Sequence, residues 1–386
     1  MRIKNYRMQC DNKVLFVLTY YYPSWTGLTA YAQRVAEGLA KRGHTVTVLT
    51  TRHNKSLSSV ECYQGVKIIR VKPFFKISRS LIAPGIFFSL IKLRKEYDVV
   101  SIYLPYSGVL PATLICRLLD KKVYFTDNGD LGLPKGLFNW FLKKAYYWLT
   151  FFAAKISHGL VVQTEDRVAH SKLLSQLTDK LYYIYAPVKI PPPRFDQVKK
   201  WKTQLGIKDK NIVGIAGRFV EEKGFDYFLK GIPLVLKVFP DTIFLFAGET
   251  NVDYENFYQK CLPLIEKNKK HIKLLGLIRS RQKMANFYNL LDVFVISSRN
   301  DCFPSTQIEA MLCGTPVICT NIPGAREVVR KTNMGVLVKP CNYQSLAAGI
   351  IEVLGNRRRY LKFQSKANEV FDWKQSVEKY ERLFED

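Results

Sequence analysis

The residues best placed by type and spacing to do chemistry fall in two stretches of this 386-residue chain. The first is Gly217-Arg218-Phe-Val-Glu-Glu-Lys223-Gly224. Gly217 lets a ligand or another backbone come close. Arg218 offers a planar fork of donors that matches phosphate oxygens, and Lys223 adds a point charge on a flexible stem. A predicted strand precedes them and a predicted helix follows, so both cations stand near helix N–H groups that favour an anion. Taken alone R-x-x-x-x-K is short, and a solvated basic turn fits it as well. The second stretch is Asp301-Cys-Phe303-Pro304-Ser305-Thr306-Gln-Ile-Glu309-Ala-Met-Leu-Cys-Gly314-Thr315-Pro316-Val. Its two carboxylates lie eight positions apart, Asp301 in a loop and Glu309 inside a helix expected to begin near Ser305. The loop carboxylate could accept from sugar hydroxyls and the helix carboxylate from ribose hydroxyls. The N–H groups around Phe303–Thr306 could face phosphate. A capped helix with one solvated glutamate is the plainer alternative for this stretch.

These stretches need a scaffold that brings strand ends together. Lys13–Tyr20 is a continuous apolar run, the pattern of a strand covered on both faces. Leu28–Arg42 has helical spacing, with Gly43 where a helix-ending glycine belongs. Further strands are predicted at His44–Thr51, Val66–Lys72, Asp98–Tyr103, Lys122–Thr126, Gly159–Gln163 and Leu181–Tyr185. Pro187–Pro193 can neither pair in a sheet nor enter a helix, and reads as a linker. The pattern then restarts, with strands predicted at Asn211–Ala216, Thr242–Ala247, His271–Leu275, Asp292–Ser297, Pro316–Thr320 and Gly335–Val338. The fold class is therefore α/β: two doubly wound, Rossmann-like domains, residues 1–190 and 191–386, facing a cleft, with the last helix free to cross back to the first domain.

Together the two stretches resemble glycosyltransferase family 4, whose fold is called GT-B. The family's G-R-x-x-x-x-K-G is matched at Gly217–Gly224, and its E-A-x-x-x-G-x-P-V at Glu309–Val317. Supporting pieces follow in order: Phe246-Ala-Gly248-Glu249, Leu275-Gly276, Asp292–Ser298 and Gly324-Ala-Arg326-Glu327-Val-Val329. The likeness covers nearly all of Asn211–Pro340. It is looser in the first half, where Tyr21–Tyr31, with the single glycine Gly27, looks like the family's first strand-to-helix loop. The resemblance implies a retaining glycosyltransferase that moves a hexose-type sugar from a UDP- or GDP-linked donor to a glycan or lipid-linked acceptor, in polysaccharide or glycolipid synthesis. It implies catalytic roles for Arg218, Lys223 and Asp301. Donor contacts would come from Gly27, Gly217, Phe303, Pro304, Ser305, Thr306 and Glu309. Asn128 and Asp130 are the candidates to touch sugar or acceptor.

Three positions depart from the family pattern. Asn128 stands where many relatives have a histidine, and an amide does not titrate near neutrality. Asp301 replaces the first glutamate of a pair and reaches one methylene less far. Ala186 replaces an asparagine at the end of the first domain. A non-catalytic GT-B partner subunit is the alternative these departures keep open. No D-x-D triplet occurs in the chain. The resemblance thus implies no metal and no cofactor, with the nucleotide-sugar as substrate and the leaving-group charge met by Arg218, Lys223 and helix N-termini.

The formal net charge is +27; residues 1–190 carry 28 Lys/Arg against 11 Asp/Glu, and residues 191–386 carry 31 against 21. Such a field attracts polyanions, anionic lipid or phosphorylated small molecules. No nucleic-acid recognition motif accompanies it, so nucleic acid is not expected as a partner. The eight cysteines show no C-x-x-C pair or metal-type cluster and read as reduced thiols of a cytoplasmic protein. Met1–Asn12 is polar and basic, with no apolar run of the kind a secretory leader needs. The apolar runs near Ser80–Ile91 and Ala145–Ala154 are too short to span a bilayer. Lys135–Lys155 and Pro73–Lys95 nevertheless crowd aromatic residues among lysines. That pattern suits a helix lying in a membrane interface, with a core helix of the first domain as the alternative. The expected location is cytoplasmic, peripheral at the inner face of the membrane.

Overall fold

The computed structural model describes residues 12–77, 80–132, 136–252 and 254–385. All of Met1–Asn12 except Asn12, and Lys135, lie outside them. The chain divides into two compact units, one of residues 1–187 with 373–386 and one of residues 188–372.

In the first unit, ten strands form among the described residues: β1 Lys13–Val17, β2 Thr45–Thr51, β3 Val60–Tyr63, β4 Val66–Val71, β5 Phe75–Ile77, β6 Ser80–Ile82, β7 Val99–Tyr103, β8 Lys122–Thr126, β9 Gly159–Val162 and β10 Leu181–Tyr183. Eight build one sheet in the order β10-β9-β8-β7-β1-β2-β4-β3, parallel except for β3 on β4, while β5 and β6 pair separately as a hairpin. The central strands are buried along their length because helices cover both faces. Helix Gly27–Lys41 opens on Thr26, whose hydroxyl accepts from Thr29 N while Thr29 reaches back to Thr26 N. Gly43 N donates to Ala40 O in a left-handed turn, φ 101°. Helix Trp373–Glu385 packs on Gly27–Lys41 in this unit: the Tyr31 and Tyr380 hydroxyls are 2.6 Å apart, and Glu381 binds both Arg42 and buried His44.

Pro73–Lys95 is not one amphipathic helix. Its first part is the β5–β6 hairpin, and Pro84 sets the start of a helix confined to Gly85–Lys92. Leu137–Ile156 is a continuous helix of 20 residues. No helix among the described residues is long and apolar enough to cross a membrane.

In the second unit, six parallel strands form one sheet: β11 Asn211–Ala216, β12 Thr242–Ala247, β13 Ile272–Gly276, β14 Val293–Ile296, β15 Val317–Thr320 and β16 Gly335–Val338, in the order β13-β12-β11-β14-β15-β16. Strand order reverses between β11 and β14, and ligands of open α/β sheets bind at the carboxyl ends on either side of such a reversal. The core behind it joins Val213, Ile215, Phe244, Phe246, Val293 and Val295 to Phe225, Phe228 and Leu229 of helix Phe225–Val238.

Candidate functional site

The two chemistry-bearing stretches leave the sheet of the second unit from adjacent strands, β11 and β14. After β11 the chain runs through Gly217, at φ 149°, and Gly217 N donates to Ala247 O at 2.9 Å. A methyl group on Gly248 would stand 1.9 Å from Gly217 O, so two glycine backbones touch where β11 and β12 end. Arg218 follows at the surface. Its guanidinium bonds the Tyr254 hydroxyl, faces the Tyr254 ring at 5.7 Å and lies 3.9 Å from Glu222. A short turn, Glu221–Lys223, then brings Lys223 round, and Gly224 at φ 66° joins it to helix Phe225–Val238.

Lys223 Nζ donates to Asp301 Oδ2 at 2.5 Å, and Ser298 Oγ donates to the same oxygen at 3.2 Å. The cation expected near phosphate and the carboxylate expected near sugar are therefore joined directly. An ammonium has three N–H groups, and this bond uses one. Past Asp301 the chain enters helix Ser305–Leu312 through Pro304, which supplies no side-chain cap. The first helical N–H groups, at Ser305 and Thr306, thus stand uncapped by that side chain, an arrangement suited to an anion. Phe303 packs against Phe371, ring centroids 6.3 Å apart. Glu309 is buried on the next turn of the helix, and the Tyr288 hydroxyl donates to its Oε2 at 2.8 Å.

The remaining candidates belong to the first unit. Gly27 begins helix Gly27–Lys41 after β1, and a methyl group there would meet nothing within 4 Å. Asn128 follows β8 and donates from Nδ2 to Thr126 O at 3.1 Å. Asp130 pairs with Arg167, at 2.8 Å and 3.3 Å. The same guanidinium reaches buried Asp127 at 3.4 Å, whose main-chain carbonyl accepts from Gln163 at 2.6 Å. Burial pushes the Asp127 carboxyl above its ordinary value, partly opposed by Arg167. Asp130 is thus already engaged by a protein cation, and the loop after β8 is fixed from below by Arg167.

Several partners escape sequence reasoning. Tyr254 orients Arg218, Tyr288 orients Glu309, Ser298 shares Asp301, and Arg299 ties the loop after β14 to the turn holding Lys223. Only Arg299 and Ser298 carry a local signal, lying within three residues of Asp301. Tyr254 and Tyr288 come from distant segments that only the fold brings in.

Comparison with known proteins bears on the family and the fold. The family model for glycosyl transferases group 1 matches residues 197–370, and that for glycosyltransferase family 4 matches residues 25–188. The chain is 25% identical to an uncharacterized glycosyltransferase of Methanocaldococcus jannaschii, covering 92% of this chain and 94% of the relative. It is 22% identical to the phosphatidylinositol N-acetylglucosaminyltransferase GPI3 subunit of Saccharomyces cerevisiae, covering 98% of this chain and 83% of the relative. Among solved structures, sucrose-phosphate synthase from Thermosynechococcus elongatus superposes with a TM-score of 0.77 at 18% identity, covering 97% and 98% of the two chains. Anabaena HepE, solved in complex with UDP, superposes with a TM-score of 0.78 at 17% identity, covering 97% and 99%. With both halves matched in order and the Rossmann-like sheets in place, the chain belongs to glycosyltransferase family 4, transferases of the GT-B fold.

Proposed function

We propose that the protein transfers a hexose-type sugar from a UDP- or GDP-linked donor to a glycan or lipid-linked acceptor, with retention at the anomeric carbon. The observation that carries the reading is the meeting of Lys223 and Asp301 across the strand reversal, 2.5 Å apart, beside an uncapped helix start. Asp301 takes the sugar hydroxyls, and Lys223 and Arg218 take the diphosphate. Glu309, oriented by Tyr288, takes the ribose. The bond from the anomeric carbon to the phosphate oxygen breaks while the acceptor oxygen bonds to the same face of that carbon. The acceptor's proton passes to the departing phosphate. Preorganised cations and N–H groups meet the growing charge, so this scheme needs neither a metal nor a strong general base, and Asn128 is compatible with it. Anabaena HepE has been solved with UDP-glucose, which supports a nucleotide-sugar donor. The names of the yeast GPI3 subunit and of the Mycobacterium leprae phosphatidyl-myo-inositol mannosyltransferase support a lipid-linked acceptor.

The site of action in this proposal is the inner face of a membrane. Eight large apolar residues of helix Leu137–Ile156 are exposed, from 38% at Ile156 to 75% at Leu137, among them Phe141, Trp148 and Phe152 on one stripe. Helices Gly85–Lys92 and Val109–Leu118, packed in the same layer, expose Phe88, Ile91, Leu114 and Leu118. None of the three helices contains an Asp or Glu. A core helix would turn such a stripe inward, whereas an interfacial one turns it out among cations.

The first test is a thermal-shift screen against UDP, GDP, ADP and their common sugars, since a ligand that binds only the folded state raises apparent stability. One nucleotide series should stabilise the wild type and fail to stabilise Glu309→Ala or Lys223→Ala. Turnover of that nucleotide-sugar should fall in Lys223→Ala and Arg218→Ala; unchanged turnover in both rejects their phosphate role. Binding without any hydrolysis or transfer favours the non-catalytic partner subunit instead.

A further inference from the structure

Arg299 lies two residues before Asp301, on the loop leaving β14. Its backbone N–H donates to Glu222 O at 2.7 Å, and its Nη1 donates to Glu221 O. Two residues earlier, Ser297 Oγ donates to Lys223 O at 2.8 Å. All three carbonyls of the turn Glu221–Lys223 are thus bonded to the segment Ser297–Arg299. The next residue, Gly224, passes so close beneath that a methyl group on it would stand 2.1 Å from Ser297 O. The guanidinium is itself held in place. Nη2 donates to Asp226 Oδ2 at 2.8 Å, and the group lies over the Tyr227 ring at 4.4 Å, with the Phe257 ring at 5.8 Å. One side chain therefore joins the loop carrying Asp301, the turn carrying Lys223 and the first turn of helix Phe225–Val238.

A lysine side chain has four rotatable bonds, so the Lys223–Asp301 contact depends on where the two backbones stand. Displacement of a catalytic group by about 1 Å can lower rates about a hundredfold. Arg299 directs its donors to protein groups, which marks it as a support and not as a ligand contact. Lys223 pairs with the carboxylate assigned to the sugar, so it stands beside the phosphate that bears the sugar, the second of a nucleoside diphosphate.

We propose that Arg299 is a positioning residue for that second phosphate: it sets where Lys223 stands relative to Asp301. The inference rests on the assignment of Lys223 to phosphate under the proposed function. It has a consequence that a purely structural role lacks. Loss of the Arg299 side chain should remove the contribution of the second phosphate to binding and leave monophosphate binding as it was.

The experiment is calorimetric titration of UDP, UMP, GDP and GMP into wild type, Lys223→Ala, Arg299→Met and the double variant, with thermal unfolding of each. For the base that binds, the wild type should prefer the diphosphate. That preference should fall roughly tenfold in Lys223→Ala, the effect of losing one charge-assisted contact, by a similar factor in Arg299→Met, and no further in the double variant. Arg299→Lys, which keeps the charge and a bond to Asp226 but not the fork, should retain part of the preference. Equal weakening of mono- and diphosphate in Arg299→Met overturns the positioning role, as do losses that add in the double variant. A preference lost in Lys223→Ala but intact in Arg299→Met overturns it while leaving Lys223 on the phosphate. A wild type that binds both forms alike removes the assignment of Lys223, and the inference with it. Should Arg299→Met fail to fold, Arg299→Lys decides by the same ratio: an undiminished diphosphate preference overturns the role.

Discussion

Among single residues, the sharpest constraint lies at Gly224. Its φ of 66° is costly for any side chain, and the space above it is filled by Ser297 O. Gly224→Ala should therefore destabilise the second unit by about 3 kcal/mol, since the obstacle is backbone and cannot swing away. Gly217 gives the contrast: its φ is also positive, but a methyl group there meets nothing within 4 Å. Gly217→Ala should cost about 1 kcal/mol, from backbone strain alone. Thermal unfolding of the two variants checks the order, and equal losses would contradict it. Position 128 makes a different claim. With an asparagine there, the pH profile of turnover should lack a limb near 6.5 arising from that position, and Asn128→His should introduce one. The sequence makes these residues visible through the order in which their motifs follow one another, since R-x-x-x-x-K alone also fits a solvated turn. It hides their supports. Nothing local marks Tyr288 as the partner of Glu309, 21 positions away, because that pairing exists only once two helices pack.

At the scale of elements, most strands are legible because burial on both faces forces a run of apolar residues. β11, β12, β8 and β16 carry the bounds that their residues predict. β3 is missed for the opposite reason: it is a four-residue edge strand with no buried position, so no run or alternation announces it. The β5–β6 hairpin is hidden inside an aromatic, basic stretch whose composition resembles a helix more than a turn. The fastening of helix Trp373–Glu385 is likewise tertiary. Burial pushes the Glu381 carboxyl up, but hydrogen bonds from Arg42 and His44 outweigh this and hold it below its ordinary value. A folded value below the unfolded one means stability that is present above the unfolded value, about 4.3, and lost as pH falls through the folded one. Arg42 is half-exposed and His44 buried, so losing their shared acceptor costs about 2 kcal/mol, mainly from leaving a buried imidazole unpaired. Glu381→Ala should thus destabilise the first unit by about that much at pH 7 and flatten its stability profile below pH 4.5. A variant that keeps the wild-type acid limb would show that other carboxylates set it.

For the molecule as a whole, the charge is spread unevenly along the chain. The basic excess is larger in the first half of the chain, 28 Lys/Arg against 11 Asp/Glu over residues 1–190, where the exposed aromatic stripe also lies. Attraction to anionic lipid scales with the number of cations near the surface and is screened by salt, whereas burial of aromatic rings is not. The two contributions can therefore be separated on one protein. In flotation with vesicles of neutral lipid alone and with 30% anionic lipid, the wild type should float with the anionic vesicles and largely sink with the neutral ones. Raising salt to 0.5 M should release part of it. Lys143, Lys144 and Lys155 changed together to Gln should mimic high salt, at about 1 kcal/mol per charge. Phe141, Trp148 and Phe152 changed together to Ser should lower binding at every salt concentration, because each exposed ring that enters the interface contributes in proportion to its apolar area. These six side chains are all exposed on one helix, so the changes should leave the unfolding temperature within a few degrees. Flotation that ignores both sets of changes would move the docking surface off this helix, and flotation absent under all conditions would leave the stripe to a protein partner.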